Sequence, residues 1–327
     1  MIDIRNDKLL FLQEFQKELR SKTLGTQKWW TKYLFHFTDI SNSLLILETG
    51  FIYSREKAIH LNLMKNDNAN DSVIKKTSMI HKEYARLYFA PSTPTQYRNE
   101  GIRPKDSISE NAHCPIPIMF VFNFIKIFMI NEIKFTDGNL ATDSDIFDKV
   151  QDLNRLNFND IYHRTRFYPE DRNRIINARH SEILVKDKLI LQNNLSLLIV
   201  RSEAEKETLL YQMSDNLIEF YKNKIFIQPK VGIFINEWFY IESLSIIDKN
   251  LHIKWHYCSN EICKNKFELK IIIRVLKDGN NKSLLRKKWY PTSSSKYKLP
   301  EGFQNKNIEV TVFIDNIKCY INSFDEF

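Results

Sequence analysis

Between residues 5 and 22, Leu9, Leu10, Leu12, Phe15 and Leu19 recur at helical spacing among charged neighbours, which predicts a surface helix. KYLFHFTDI then reads as a strand ending in polar residues. SNSLLILETG follows as a helix, capped by Ser41 or Ser43 and stopped by Gly50. Residues 55–83 are polar and read as loop with a helical turn or two. ARLYFAPSTPTQY, PIPIMFVFNF and NEIKFTDG are each a strand followed by turn residues. Residues 151–180 read as loop or short helix, and a strand at Ser181–Val185 follows. LSLLIVRSEAEKETLLYQM is a strand running into a helix, with a capping box at Ser202 and Glu205. After about Pro229 the period becomes two: Phe267, Leu269, Ile271, Ile273 and Val275 share one face, as do Ile308, Val310, Val312 and Ile314. The expected class is α+β, in three parts: an N-terminal helix (1–30), a mixed domain (31–227) and a smaller all-β sandwich (228–327).

Composition adds little to this outline. The chain has 327 residues, 43% hydrophobic and 27% charged, which suits a folded protein rather than a disordered one. No apolar run reaches the ~20 residues of a membrane helix. The opening MIDIRNDKLL lacks the plan of a signal peptide, so a cytoplasmic location without membrane attachment is expected. Four cysteines in this length make no disulfide framework. A net charge of +8 permits an anionic partner without requiring one.

Two stretches carry candidate chemistry. In the strand SEILV, Glu182 shares a face with Leu184. A carboxylate turned toward a core costs several kcal/mol unless paired. Glu182 therefore either pairs with an arginine, Arg179 being near in sequence, or opens into a cleft. Upstream, six of the fifteen arginines fall within residues 151–180, a window without lysine. A solvated basic face in this lysine-rich chain would use lysine; arginine instead grips phosphate with a planar fork and stacks on bases. Phe158, Tyr162, Phe167 and Tyr168 interleave with it, the mix used on single-stranded nucleic acid. Asp152, Asp160, Glu170 and Asp171 could equally pair some of these arginines. A metal site in HIKWHYCSNEIC is disfavoured. His252 and His256 would sit about 13 Å apart on a strand, leaving only His256, Cys258 and Cys263 able to converge. No Gly-rich dinucleotide or Walker loop is present.

Four blocks in order, YLFHFTDISNSLLILETGF, RLYFAPSTPTQY, KFTDGNLAT and RHSEILV, resemble the DarT family of bacterial toxins, NAD-dependent ADP-ribosyltransferases that modify nucleobases in DNA. The resemblance implies an ADP-ribosyltransferase (ART) fold like that of the poly-ADP-ribose polymerases, a split mixed β-sheet with NAD in its cleft. It places His36, Thr38 and Asn42 at the adenosine ribose and nicotinamide, with Gly50 and Tyr88 beside them. It makes Glu182 the catalytic glutamate, with Arg55 as catalytic arginine and Arg86 as runner-up. The arginine window becomes the substrate-recognition loop, with Tyr162, Arg164, Arg166 and Arg179 on the nucleic acid, and this loop rather than the β domain is expected to select the base. The implied cofactor is NAD, consumed as substrate, without a metal. The implied partners are single-stranded DNA, with RNA as the alternative, and a cognate antitoxin in a toxin–antitoxin or phage-defence system. The rival readings are transfer to RNA or protein, and a non-catalytic nucleic-acid binder on the same scaffold.

Overall fold

The apolar runs of the first 227 residues build one mixed sheet. The computed structural model describes residues 4–65, 82–104, 106, 108, 112–142, 144–228, 232–256, 266–276, 281–303 and 306–325. Its strands are β1 (Tyr33–Asp39), β3 (Tyr84–Tyr88), β4 (Pro117–Asn123), β5 (Lys134–Thr136), β6 (Ile146–Phe147), β7 (Glu182–Lys186), β9 (Leu195–Val200) and β10 (Ile225–Ile227). They lie in the order β10-β9-β4-β1-β3-β7-β5-β6, while β2 (Phe51–Tyr53) and β8 (Lys188–Ile190) pair separately. β9 and β10 run parallel; the other neighbours are antiparallel. Central β4 is buried from Pro117 to Phe122, as its unbroken apolar run requires.

The sheet opens in its middle. β1 pairs with β4 over seven positions but with β3 only at Phe35–Tyr88. Helix α1 (Ile4–Lys22) lays Leu12, Phe15 and Leu19 on the core, and the ring of Phe15 meets those of Phe124 and Phe158. Helix α2 (Ile40–Thr49) corrects one expectation. Its cap is Asp39, whose carboxylate accepts from the Ser41 N–H at 3.0 Å. Ser43 already lies in the first turn and donates back to the Asp39 carbonyl. Gly50 ends the helix at φ 75° and returns its N–H to Ile46. Arg55–His60 forms the short helix α3, and residues 66–81 lie outside the described ones.

The remaining strands form two facing sheets around a second core. One is β11 (Tyr240–Ile247), β12 (Asn250–His256) and β15 (Ser294–Lys298). The other runs β14-β13-β16-β17, from β13 (Phe267–Val275), β14 (Asn281–Trp289), β16 (Ile308–Ile314) and β17 (Ile317–Phe324). The alternating residues of β13 are all buried. This core also takes in Ile102 and Ala204, so the sandwich is packed onto the first sheet's periphery.

A sealed ionic cluster sits at that junction. Arg201, Glu205 and Glu100 are each at most 2% exposed. Arg201 donates from Nε to Glu205 at 2.9 Å and from Nη2 to the Pro115 carbonyl at 2.6 Å, and its guanidinium covers the Tyr240 ring. Glu100 accepts the N–H groups of Ile235 and Asn236 and the amide of Gln96. The capping box is thus half formed: Ser202 receives the Glu205 N–H, but the Glu205 carboxylate accepts from Arg201 instead of returning to the cap. Removing the cation leaves two buried carboxylates uncompensated. Arg201→Met is expected to cost about 3–5 kcal/mol in a urea melt. A loss under about 0.5 kcal/mol, that of a surface substitution, would show the cluster to be neutral.

Candidate active site

The edge of the split is where the sequence put its odd carboxylate. Ile183 and Val185 turn into the main core, whereas Leu184 packs with Tyr84 and Leu140 in a small cluster on the opposite face. Glu182 shares that second face, at the start of β7. Its N–H donates to Thr136 Oγ1 at 2.9 Å, which locks the strand end to β5.

Glu182 is 3% exposed, and its partner is Arg86 on the neighbouring strand β3. Arg86 Nη1 reaches the two carboxylate oxygens at 3.2 and 3.3 Å. Arg179, the partner suggested by sequence proximity, instead donates to the Ser92 carbonyl. Tyr88 lies directly across the ladder from Glu182, and its hydroxyl and the Leu140 N–H both bond the carboxylate. Burial raises the Glu182 pKa above the ordinary glutamate value, and Arg86, Tyr88 and Leu140 offset only part of that rise. Burial, then the negative charge of Glu182, also raises the Tyr88 hydroxyl, so Tyr88 stays protonated as a donor.

His36 on β1 reaches across the opening. Its Nδ1 lies 2.9 Å from the Arg86 carbonyl, bridging the strands where their ladder has parted. A carbonyl only accepts, so Nδ1 carries the proton and Nε2 is left as an acceptor. Burial lowers the imidazole pKa, so the ring is neutral near pH 7. Among the described residues His36 Nε2 has no hydrogen-bond partner, as a site for a sugar hydroxyl would require. His36, Thr38 and Asn42 line a cleft of about 110 Å³ together with Thr49, Phe51 and Tyr53. Asn42 is itself fixed, donating to Thr38 Oγ1 at 3.3 Å and accepting the Lys65 N–H at 2.9 Å. A larger groove of about 410 Å³ between α1 and residues 153–162 contains none of these groups; its charged lining, Glu18 and Lys22, is an exposed ion pair.

Other expected residues divide. Arg55 opens α3, within electrostatic reach of Tyr88, while Arg86 makes the contact with Glu182. Gly50 is accounted for by its capping role. Tyr162 departs from expectation: it is 6% exposed, packed against Trp30 and Phe158, and lines the groove beside α1 rather than the Glu182 site. Within the arginine window, Arg155 pairs with Asp145 and Asp152, and Arg174 with Asp160 and Asp171. Arg164, Arg166 and Arg179 make no ion pair among the described residues. Sequence reasoning undervalued Arg86; alternation along RLY, two residues before Tyr88, would have placed it on the Glu182 face once the two strands were paired.

Cys258 and Cys263 lie outside the described residues, and among the described residues no three His, Cys, Asp or Glu side chains could hold a metal ion. Among the same residues no helix is long and apolar enough to cross a membrane.

In fold the chain is similar to Thermus sp. 2.9 DarT in complex with ADP-ribosylated ssDNA, at TM-score 0.48 and 15% identity over 61% of this chain and 95% of that one. The same protein in complex with NAD+ gives TM-score 0.47 and 15% identity, over 61% and 96%. Thermosipho africanus DarTG in complex with ADP-ribose gives TM-score 0.46 and 19% identity, over 66% and 53%. Among curated protein sequences none matches. The sequence model of the family described as DarT, ssDNA thymidine ADP-ribosyltransferase, matches residues 35–240. That match takes in most of the chain and, but for the first two residues of β1, the whole split sheet with its Glu182–Arg86 pair, so the chain belongs to the DarT family of NAD-dependent ADP-ribosyltransferases.

Proposed function

We propose that this protein transfers ADP-ribose from NAD to thymidine in single-stranded DNA, with Glu182 as the catalytic residue and Arg86, rather than Arg55, as the arginine of the reaction. The observation that carries this reading is a buried carboxylate held against a cation at the lip of a split sheet. NAD supplies the ADP-ribosyl group on a glycosidic bond whose rupture releases neutral nicotinamide with the bonding electrons and puts positive charge on the ribose carbon, to which the base nitrogen then bonds. The Glu182 carboxylate stabilises that charge from a fixed strand terminus. It also accepts the proton of an attacking base nitrogen brought within hydrogen-bond reach. Arg86 keeps it ionised, while Tyr88 and Leu140 hold its orientation. His36 receives a ribose hydroxyl at Nε2, and Thr38 and Asn42 complete that wall of the cleft. Membership of the family further supports action as a cytosolic toxin countered by an antitoxin, in a toxin–antitoxin or phage-defence setting; a neighbouring gene product that removes the mark would test it.

The test of the main reading is incubation with labelled NAD and oligonucleotides of DNA, DNA lacking thymidine, and RNA. Label on thymidine-containing single strands is expected; label on RNA or on the protein alone would overturn the reading. Glu182→Gln keeps the shape and removes the charge, so transfer should fall by on the order of 10²-fold or more. Near-normal turnover in that variant would remove Glu182 from the chemistry.

The pH profile follows from the same group. Transfer needs Glu182 ionised and its pKa is raised, so activity is lost as pH falls through a value above that of an ordinary glutamate. Arg86→Gln deletes the largest influence holding that pKa down, and the acid limb of kcat/KM should move to higher pH. An unmoved limb would mean that Arg86 does not face Glu182 in solution. His36→Ala should weaken apparent NAD affinity while leaving oligonucleotide affinity in place, and an unchanged NAD titration would leave the imidazole with only its structural bond to Arg86.

A further inference from the structure

The unpaired arginines of the recognition loop meet the segment that leads into the β-sandwich. Arg179 is partly buried and donates to the Ser92 carbonyl. The Ser92 hydroxyl donates onward to the Gly232 carbonyl at 2.8 Å. Gly232 is buried at φ 70°, and a Cβ there would fall on the guanidinium of Arg164. The other flank of Arg164 lies over the Trp30 ring, 5.4 Å from its centroid. The segment is anchored rather than loose. Ile233 and Phe234 are buried in the main core, Gln96 donates to the Ile233 carbonyl at 2.8 Å, and Glu100 receives the N–H groups of the next two residues.

This corner carries uncompensated positive charge. Arg164 and Arg179 lie within electrostatic reach of each other, and among the described residues neither has a carboxylate partner. Arg98, also without an ion pair there, acts with Arg179 on His180. His180 adds no charge of its own. Its Nδ1 donates to the Ile176 carbonyl, its Nε2 faces the Thr95 hydroxyl, and burial pushes its pKa down to about 4. Arg164 is exposed and Arg179 half-buried, and the charge of Arg164 disfavours that of Arg179 unless an anion meets both. Glu182, two residues beyond His180, is already committed to Arg86. A phosphodiester matches what is missing, because its oxygens accept from two planar forks at once.

We propose that Arg164 and Arg179 form a phosphodiester subsite for the acceptor strand beside Glu182, and that the segment Gly232–Asn236 is the floor that positions them. The subsite rests on the reading of the protein as an enzyme acting on single-stranded DNA. The loop arginines then fix the register of the strand instead of reading the base, since phosphate contacts position and base-edge contacts specify. Through this floor the sandwich domain takes part in substrate binding without touching the DNA itself.

The experiment uses the full chain, with transfer from NAD to a thymidine-containing single strand followed between about 50 and about 200 mM salt. In the Arg164→Gln/Arg179→Gln variant the KM for the oligonucleotide should rise about tenfold or more, and the slope of log KM against log salt should flatten by about 0.7 for the lost phosphate contact. Gly232→Val, which displaces Arg164 but leaves both charges in place, should raise the same KM. A purely structural role would lower kcat or the melting temperature and leave the salt slope intact. An independent arm uses wild-type protein, with a neutral methylphosphonate linkage on either side of the target thymidine. One such oligonucleotide should show the raised KM with wild type and no further penalty with the double variant, the non-additivity of a shared contact. Full additivity, or an unchanged oligonucleotide KM and slope, overturns the subsite. A rise confined to the KM for NAD assigns the arginines to the dinucleotide's own phosphates and overturns it equally. Absence of any transfer to DNA by wild-type protein refutes the functional reading beneath it instead.

Discussion

The ion pair between Glu182 and Arg86 is the constraint around which the split sheet is arranged. A carboxylate this deeply buried costs several kcal/mol unless its charge is met. The structure meets it from one adjacent strand and a loop: the Arg86 guanidinium, the Tyr88 hydroxyl and the Leu140 N–H. Because Arg86 and Tyr88 alternate onto the same face of β3, one strand supplies both partners, and the ladder between β3 and β7 holds Tyr88 directly opposite Glu182. The bond from Thr136 then stops β7 from sliding. A one-residue slip would turn Glu182 into the main core and Ile183 out of it, so the ion pair also pins the register.

The divergence of β1 from β3 follows from this arrangement. The cleft of about 110 Å³ lies on the β1 side of the parting, lined from β1, α2, β2 and α3 and by no residue of β3 or β7. The parted backbone must still have its polar groups satisfied, and His36 does this at the Arg86 carbonyl. The cost of opening the sheet is thus met by the His36 side chain. The same bond sets the tautomer and leaves Nε2 as an acceptor on the side of the cleft that His36 lines, the atom that the proposed reaction assigns to a ribose hydroxyl. Arg86 is consequently held at two points, by its carbonyl from β1 and by its guanidinium from β7, so the two halves of the split sheet are coupled through one residue.

Much of this was legible in the amino-acid order. Alternation placed Glu182 on the face of Leu184, and the period of two exposed the sandwich strands, because both depend only on neighbours along the chain. What failed depended on contacts distant in sequence. Arg179 is three residues from Glu182, yet Arg86, ninety-six residues away, is its partner, since strand pairing and not proximity decides. Asp39 caps α2 because the strand ends one residue earlier than the serine pattern suggested. Tyr162 looked like a stacking platform by composition, but an aromatic among arginines is as useful inside as outside, and this one is buried against Trp30 and Phe158. The arginine window mixes the ion-paired Arg155 and Arg174 with Arg164 and Arg179, which make no ion pair among the described residues, and only distances separate the two sets.

The molecule contains the same chemistry twice, and the contrast explains which instance is a site. Arg201 with Glu205 and Glu100 is sealed on all sides, with the arginine side chain 1% exposed. Its carboxylates are filled by backbone and side-chain donors, so nothing remains for a ligand to do. In the other pair the carboxylate is buried to 4%, but the arginine side chain remains 26% exposed. That asymmetry leaves the cation in contact with solvent, where it screens the carboxylate without closing over it. Exclusion of water from the carboxylate strengthens its field. The sealed cluster therefore serves as a joint between the two cores, whereas a buried carboxylate whose cationic partner is a quarter exposed is the arrangement on which the proposed transfer draws.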